Sequence, residues 1–332
     1  MDLSIIIVNW NSVKHLRECL ASIYDKTEGI SFEVVVIDNA SYDGCAEMLA
    51  REFPAVRFIQ SQENLGFARA NNLGFEHSSG RNVLFLNPDT EIVGPALEHL
   101  VRAMDSDSRV AVAGPKLLNT DGSIQTSCIQ RFPTVLNQML DSDYLRQKFP
   151  SARLWGTRPL REDAAGLTEV EVISGASLMV KREVFEAVGR FSTRYFMYSE
   201  DVDLCYEVRK CGWKVCYAGA ATVIHHGGRS SSSKPESHYS SIMTRQAVAT
   251  FLRAKRGRTY SALYRATTAI AALGRCALAG LAAVFAYGQP RRARCVQSLQ
   301  KWSNIFRWAV GLEGWARMAA PNGNGQAPVS AC

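Results

Sequence analysis

The chain lacks the short motifs that mark several common classes of nucleotide-binding and hydrolytic enzyme. No GxGxxG follows the first strand-like run, which disfavours a dinucleotide-binding fingerprint, and neither GxxxxGKS nor GxxxxGKT is present to form the phosphate-binding loop of NTPases. GxSxG is missing too, so the nucleophile of an α/β-hydrolase is not expected. With 332 residues, 47% of them apolar, the chain is nevertheless long and apolar enough for a globular protein with a large core.

Cysteine usage and the N-terminal residues do not indicate export. The nine cysteines are scattered and form no CxxC pair, so neither a zinc site nor a disulfide framework is expected, and a reducing cytosol fits best. Met1 and Asp2 lead directly into an apolar run, without the basic segment and long apolar segment of a signal peptide. We therefore expect the chain to act on the cytoplasmic side.

Acidic residues are almost absent from the last part of the chain. Residues 237–332 contain thirteen Lys and Arg but one acid, Glu313, which gives a net charge of +12, whereas residues 1–236 carry −5 and the whole chain +7. A nucleic-acid partner is disfavoured because no recognised binding module accompanies this charge. Residues 266–287 are long enough to cross a bilayer, but they are rich in Ala and hold Arg275 near their middle. Whether they span a membrane or lie on one stays open.

The first 113 residues alternate between strand-like and helix-like patterns. Ser4–Val8 and Phe32–Ile37 are β-branched apolar runs, typical of strands buried on both faces, and Val13–Tyr24 between them has helical spacing. The alternation continues with a helix from about Asp43, a strand at Val56–Ile59, a helix at Phe67–Glu76, a strand at Val83–Leu86, a helix at Ala96–Met104 and a strand at Val110–Ala113. The pattern predicts an α/β fold with an open, mostly parallel sheet and flanking helices, whose ligands bind at the carboxyl ends of the strands.

Beyond this alternation the patterns are less regular. Thr120–Glu169 is predicted to be an inserted loop region, and Val170–Val180 resumes a buried apolar run that we expect to form the last core strands. Gly227–Ser237 is rich in Gly, Ser and Pro and is predicted to be a loop or linker.

Acidic and polar residues follow two of the predicted strands. Asp38 to Gly44 forms an acidic loop, in which Asp43 suits a ligand contact and a cap of the following helix equally well. Asn87-Pro88-Asp89 places a carboxylate where a divalent ion would bridge it to phosphates, although an Asp in a Pro-fixed turn is the ordinary interpretation. Both interpretations stay open from these residues alone.

A second acidic group begins a predicted helix. Glu200, Asp201 and Asp203 repel one another, and neighbouring aromatic residues desolvate them, so a carboxylate here suits a general base. The alternative is a set of acids stabilised by the helix dipole. His225 and His226 follow another apolar strand and are expected to lie at the same edge of the sheet.

Eight segments, in this order, resemble the inverting family 2 glycosyltransferases with the GT-A fold, and most closely their bacterial rhamnosyltransferase-type branch. The resemblance covers about Leu3 to Ser230. It rests on IIIVNWN at 5–11, VIDNASYDG at 36–44, ENLGFARANNLGF at 63–75, LFLNPDT at 84–90, GPKLLNTDGSIQ at 114–125, SGASLMVKREVF at 174–185, FMYSEDVDLCYEVRKCGW at 196–213 and VIHHGG at 223–228.

The resemblance implies a role for each matching position. Asp201 matches the catalytic base, assisted by Glu200, while Asp203 and Gly175 would orient the base or the acceptor. Asp89 and His225 would hold Mg²⁺ or Mn²⁺; His225 is favoured over His226, and Asn87 replaces the first acid of the family's metal motif. The implied donor-binding residues are Val8, Asn9, Asp38, Asn39, Asp43, Asn64, Gly66, Phe67, Arg69, Asn87 and Asp89.

The resemblance ends where the charge changes sign, so we expect a catalytic domain at 1–230 and a basic, amphipathic helical region at 231–332. Within the latter, Tyr239–Lys255 is predicted to be a helix, and Trp302, Phe306, Trp308 and Trp315 lie among Lys and Arg. Cationic helices with interfacial aromatic residues favour an anionic membrane surface. Basic helices packed on the body, or in a contact between copies in a homo-oligomer, are the alternative.

The implied activity is metal-dependent, inverting transfer of a sugar, with L-rhamnose from dTDP-rhamnose the first expectation. The acceptor would be a saccharide on polyprenyl diphosphate, used in cell-envelope or surface-polysaccharide synthesis by a peripheral enzyme on the cytoplasmic face of the inner membrane. A non-catalytic nucleotide-sugar-binding scaffold is one alternative. A sugar nucleotidyltransferase is another, but it should carry an N-terminal Gly-rich phosphate loop that this chain lacks.

Overall fold

The computed structural model describes residues 1–140, 148–149, 155–157, 166–227, 238–286 and 291–314. The strands are β1 Leu3–Asn9, β2 Phe32–Asp38, β3 Arg57–Gln60, β4 Asn82–Leu86, β5 Thr90–Val93, β6 Val110–Leu118, β7 Ile129–Gln130, β8 Leu167–Glu169, β9 Val172–Ile173, β10 Ser177–Lys181 and β11 Lys214–His225. The helices are α1 Val13–Lys26, α2 Cys45–Glu52, α3 Gly66–Glu76, α4 Ala96–Asp105, α5 Val135–Met139, α6 Arg182–Ala187, α7 Glu200–Lys210, α8 His238–Arg256, α9 Arg258–Phe285 and α10 Arg291–Ala309.

A central sheet organises the first 225 residues. Its strand order is β3-β2-β1-β4-β10-β6-β11-β5, with β8 paired to β11. β3, β2, β1 and β4 run parallel, as do β6 and β11, because helical crossovers return the chain to the same end of the sheet. The apolar runs of β1 and β2 are buried, as expected for strands covered on both faces. The α/β fold with a mostly parallel sheet is therefore confirmed.

The apolar run 170–180 is not one continuous strand. It divides into β9 and β10, and the turn between them contains Gly175. β10 then inserts antiparallel between β4 and β6 in the centre of the sheet. Residues 228–237, with most of the predicted linker and the predicted boundary at 230, lie outside the described residues.

Helix α8 packs directly on the sheet-containing body. Its Ile242, Phe251 and Leu252 are buried in the same apolar core as the strands. The ring of Phe251 contacts those of Phe132 and Tyr206, with centroids 6.3 and 5.7 Å apart. The first helix of the basic region thus shares the core of the preceding residues.

Helices α9 and α10 form an antiparallel pair that is tied together by aromatic and cationic side chains. Arg275 lies over the Trp302 ring at 4.2 Å, and Arg265 lies over the Trp308 ring at 4.5 Å. Trp308 is only 1% exposed and donates to Gln246 Oε1 on α8 at 3.0 Å. The expectation that Trp308 faces a membrane is therefore wrong, because its ring fills the space between helices; Trp315 lies outside the described residues.

The outer face of α9 is apolar and exposed. Among the described residues, α9 is long and apolar enough to cross a membrane by length and composition. Little of its most apolar stretch is buried. The exposed apolar side chains are Leu263, Ile270, Leu273, Leu278, Leu281, Val284 and Phe285.

Candidate active site

The side chain of Asn9 joins two acidic residues at the ends of the first strands. β1 pairs in parallel with β2 so that Asn9 stands beside Asp38. Asn9 Nδ2 donates to Asp38 Oδ1 at 2.8 Å and lies 3.1 Å from Asp43 Oδ1. Asn9 is among the donor-binding residues that the resemblance implies, and in the structure its buried amide holds both carboxylates in place.

Asp38 is fully buried but well supplied with hydrogen bonds. Its carboxylate accepts from the Ser41 hydroxyl, from Gln60 Nε2 at 2.8 Å and from the Tyr42 N–H at 3.2 Å. Burial acts to raise the pKa of Asp38, but these bonds and that from Asn9 outweigh it and lower the pKa below its ordinary value. Asp38 therefore shapes the loop after β2 as an ionised group.

Asp43 caps a helix, but not the one that follows it. Asp43 Oδ2 accepts from the N–H of Val13, the first residue of α1, at 2.9 Å. Helix α2 begins after Gly44, without a side-chain cap. Asp43 thus satisfies one of the otherwise unpaired N–H groups of α1, and its half-buried position leaves part of the side chain accessible.

The next wall of the site is built from paired side-chain amides. Asn39 Nδ2 donates to Asn64 Oδ1 at 2.9 Å, and Asn39 Oδ1 accepts from the Leu65 N–H at 2.8 Å. These bonds fix the loop that leads into α3. Within that helix the Phe67 ring packs against Phe191 at 5.8 Å, and Arg69 Nε donates to the Leu65 carbonyl at 3.2 Å.

Asp89 is a buried carboxylate without hydrogen-bonding partners. It follows β4 and is 1% exposed, and none of the described residues donates a hydrogen bond to either of its Oδ atoms. The pairing of β5 with β11 sets Thr90 opposite His225, so that His225 Nε2 lies 3.5 Å from Asp89 Oδ1. Because an uncompensated buried carboxylate is costly, the pair fits a divalent cation.

A chain of amides fixes the orientation of the His225 ring. Gln125 Nε2 donates to Asn119 Oδ1 at 3.1 Å, so Gln125 Oε1 faces His225 Nδ1, 2.8 Å away. That oxygen only accepts, so Nδ1 carries the proton and Nε2 presents its lone pair toward Asn87 and Asp89. Gln125 ends a segment that resembles the family, but no role could be given to it from sequence.

The second histidine is occupied on both ring nitrogens. His226 Nδ1 lies 3.0 Å from Thr120 Oγ1, and Nε2 lies 3.1 Å from Glu91 Oε1. His225 is the better candidate for a metal ligand because its Nε2 lies 3.5 Å from Asp89 Oδ1, whereas the ring nitrogens of His226 contact Thr120 and Glu91.

Another acidic group, Asp38, Asp43 and Cys45, has ligand atoms within 4.8 Å of one another. Its donor set suits a cation less well, because Asp38 is already saturated with hydrogen bonds. Burial, together with the charges of both acids, raises the pKa of the Cys45 thiol to about 12, so the thiol is protonated at neutral pH.

Asp201 is held at the start of α7 by two backbone donors. Its Oδ2 accepts from the Gly175 N–H and its Oδ1 from the Val202 N–H, both at 2.8 Å. Tyr198 and Ser199, just before the helix, have left-handed φ values of 69° and 65°, a strained conformation that is common at functional sites. The strain and the two bonds together fix where the carboxylate lies.

Glu200 and Asp201 differ in how easily each gives up a proton. Burial and the neighbouring charge of Asp201 raise the pKa of Glu200 to about 8, and none of the described residues donates a hydrogen bond to its Oε2. Burial also raises the pKa of Asp201, but the Gly175 and Val202 N–H groups oppose that rise. At neutral pH Glu200 therefore keeps its proton, and Asp201, whose carboxylate accepts two backbone N–H bonds, is the better candidate for a base.

Backbone hydrogen bonds bring these parts together. The Asn87 N–H donates to the Ala176 carbonyl at 2.9 Å, next to the Gly175 that holds Asp201. The Phe67 N–H donates to the Phe196 carbonyl at 3.1 Å, which joins the α3 loop to the segment before α7. The predicted metal, donor and base residues thus form one connected edge of the sheet, while the role of each residue remains a prediction.

Asp203 lies beneath this edge. It is buried, its Oδ1 accepts from the Tyr195 hydroxyl at 3.2 Å, and it lies 2.7 Å from Lys255 Nζ. These contacts favour an orienting role over direct contact with an acceptor. No sequence pattern pointed to Lys255, because its partner lies far away along the chain.

Comparisons with known proteins identify the family and the fold. A family model described as Glycosyl transferase family 2 matches residues 4–189. An N-acetylglucosaminyl-diphospho-decaprenol L-rhamnosyltransferase of Mycobacterium tuberculosis is 31% identical over 71% of this chain and 80% of its own length. The rhamnosyltransferase WbbL of Escherichia coli is 25% identical over 69% and 86% of the two chains. The mannosyltransferase PcManGT of Pyrobaculum calidifontis, solved with GDP-Man and Mn²⁺, has a TM-score of 0.57 and 19% identity over 94% of this chain and 87% of its own, which shows a shared fold.

The contact between Gly66 and Phe196 can be tested with Gly66→Ala. An added Cβ would lie 2.4 Å from the Phe196 carbonyl oxygen, and φ is +72°. Gly29 has the same φ but nothing within 4 Å of its Cβ position, so Gly29→Ala is the matched control. We expect the control to lower the free energy of unfolding by about 1 kcal/mol and Gly66→Ala to lower it by about 3 kcal/mol, measured by denaturant unfolding. Equal losses would show that the close approach does not matter.

Proposed function

The chain belongs to glycosyl transferase family 2, and on that premise we propose that it moves L-rhamnose from dTDP-rhamnose onto a saccharide carried by polyprenyl diphosphate. The sheet is that of the GT-A glycosyltransferases, and the family assignment removes the nucleotidyltransferase alternative. The names of the two rhamnosyltransferase relatives support the sugar, and the name of the mycobacterial one supports the lipid-linked acceptor. Such a product serves cell-envelope or surface-polysaccharide synthesis.

The observation that carries the chemistry is the placement of Asp201. Its ionised carboxylate, held by the Gly175 and Val202 N–H groups, accepts the proton of an acceptor hydroxyl. The acceptor oxygen forms a bond to the anomeric carbon as the bond from that carbon to the nucleoside diphosphate breaks on the opposite face. The configuration inverts, no covalent enzyme intermediate forms, and the protonated Glu200 adds no second negative charge beside the base.

The donor is held by the loops after β1, β2 and β3. Asp43 and the loop shaped by Asp38 bind the nucleoside, while Asn39 and Asn64 form the adjoining wall. Arg69, on the first turn of α3, would contact the diphosphate. These roles rest on the family resemblance together with the hydrogen bonds that fix each loop.

Asp89 and His225 are the residues that would hold Mg²⁺ or Mn²⁺. The unpaired Oδ atoms of Asp89 and the Nε2 lone pair of His225 support this assignment. When bound, the ion supplies charge neutralisation for the departing diphosphate.

The C-terminal helices attach the enzyme to the cytoplasmic face of the inner membrane as a peripheral protein. The exposed apolar face of α9 ends at Val284 and Phe285, 71% and 82% exposed. Three exposed arginines, Arg291, Arg292 and Arg294, begin the antiparallel α10 at the same end of the pair. Apolar residues next to cations fit the boundary of an anionic bilayer.

The base assignment is tested with Asp201→Asn. We expect transfer to fall at least about 100-fold, because the amide accepts no proton, while donor binding stays unchanged. The wild-type rate should fall as the pH drops through the raised pKa of Asp201, because the base must be ionised to accept a proton. The variant should lack this decrease at low pH. The exposed Glu183→Gln is the control, and initial rates with radiolabelled donor are the measurement. Unimpaired turnover of Asp201→Asn would favour the non-catalytic scaffold.

The metal site is tested by measuring the binding of Mn²⁺ in the presence of dTDP, with electron paramagnetic resonance reporting the concentration of free ion. His225→Ala should weaken Mn²⁺ binding more than tenfold. Gln125→Leu, which removes the hydrogen bond that orients the His225 ring, should weaken it about tenfold. His226→Ala should leave the affinity unchanged, because its ring nitrogens contact Thr120 and Glu91 instead of Asp89. Equal effects of the two histidine variants would contradict the assignment.

Membrane attachment is tested by sedimentation with vesicles of phosphatidylglycerol and phosphatidylcholine. Changing Leu281 and Phe285 together to Ser should reduce the bound fraction at least about tenfold, because both side chains lose their contact with the acyl region. Leu312→Ser, also at an exposed position, is the control. An alkaline carbonate wash should release the wild-type protein; resistance to the wash would indicate that α9 spans the bilayer.

A further inference from the structure

Lys255, on α8, reaches into the first turns of the helix that carries the candidate base. Its side chain is 8% exposed, its Nζ lies 2.7 Å from Asp203 Oδ1, and it donates a hydrogen bond to Glu207 Oε1. The same ammonium group lies 5.2 Å from the centre of the Tyr206 ring. Three successive contacts on one face of α7 therefore converge on a single cation from another part of the chain.

The charges on α7 explain why a cation is needed there. Glu200, Asp201 and Asp203 are buried within four positions, and Glu207 follows one turn later. Among the described residues, Lys255 is the cation in ion-pair contact with Asp203. Lys210 also approaches Glu207, at 3.6 Å, but its side chain is 67% exposed and its charge is screened by water.

We propose that Lys255 is a positioning residue of the active site: it neutralises Asp203 and fixes the start of α7, so that Asp201 can be ionised and correctly placed. The proposal rests on the proposed function only in taking Asp201 as the base. It assigns to the basic C-terminal region a part in the catalytic centre, in addition to membrane attachment.

The electrostatic argument follows from the surroundings of Asp201. The groups facing it are Glu200 and Cys205 on its own helix and the Gly175 N–H from the β9–β10 turn, while Asp203 receives Lys255 from α8 and the Tyr195 hydroxyl from the preceding segment. Without Lys255, the partner left to the buried Asp203 side chain among the described residues is the neutral Tyr195 hydroxyl. A buried, uncompensated negative charge two residues away disfavours ionisation of the base.

Three variants separate this role from simple stabilisation. Lys255→Met should lower kcat about tenfold or more and change the donor KM less than about threefold. The acid limb, which is the decrease of kcat/KM at low pH, should move up by about one pH unit. Lys255→Arg should keep the limb near its wild-type position, because the charge is retained. Adding Asp203→Asn to Lys255→Met should return the limb toward that of the wild type, because the unpaired charge is removed.

Asp203→Asn alone gives a test of opposite sign that does not depend on the folding of Lys255→Met. It removes a negative charge and leaves the cation, so the limb should move to lower pH. Lys210→Met is the matched control, since it removes an exposed cation from the same Glu207, and it should leave the limb unchanged. A limb that stays in place in both Lys255→Met and Asp203→Asn would overturn the proposal.

A second readout separates this proposal from the proposed function. The pKa of Asp201 is measured by carboxyl ¹³C NMR of Asp-labelled protein, with Asp201→Asn identifying the signal. The expected order of pKa is Lys255→Met above wild type and wild type above Asp203→Asn. Absence of sugar transfer by the wild type would refute the proposed function alone, whereas equal pKa values across the series would refute the role of Lys255 alone.

Discussion

The hydrogen bond from the Gly175 N–H to Asp201 is the constraint on which the rest of the site depends. It requires a turn that brings a backbone donor to the edge of the sheet, and that turn exists because the apolar run divides into β9 and β10. β10 then pairs antiparallel with β4, so the same turn also receives the Asn87 N–H and is tied to the loop that carries Asp89. The positions of the proposed base and of the proposed metal-binding loop are therefore both set by one short piece of backbone.

Much of the first half of the fold could be predicted from sequence, because buried parallel strands appear as continuous β-branched runs and the helices between them have a clear period. The direction of β10 could not, since an apolar run has the same pattern in either orientation. The polar residues after each strand were found because strand ends are where sheets bind ligands. The contact of Asp43 with the first turn of α1 could not be predicted, because it joins residues thirty positions apart.

The C-terminal region was the harder part to predict. Its charge and aromatic residues indicated a membrane surface, but composition does not tell which face of a helix a tryptophan occupies, and Trp308 lies inside. Lys255 was counted there as one basic residue among thirteen, although its ammonium group is buried against Asp203. The division between an acidic part at residues 1–236 and a basic part at 237–332 is thus incomplete, because at least one positive charge of the basic part, Lys255, forms a buried ion pair with the acidic part.

The close contact at Gly66 has a consequence for protein engineering. No side chain fits between residue 66 and Phe196, so the loop before α3 and the segment before α7 pack directly against each other. A graft of either segment would have to include the other, since a foreign loop without glycine at this position would displace the start of α7, which carries the proposed base. The two segments are therefore coupled in structure, although Gly66 and Phe196 lie 130 residues apart in the chain.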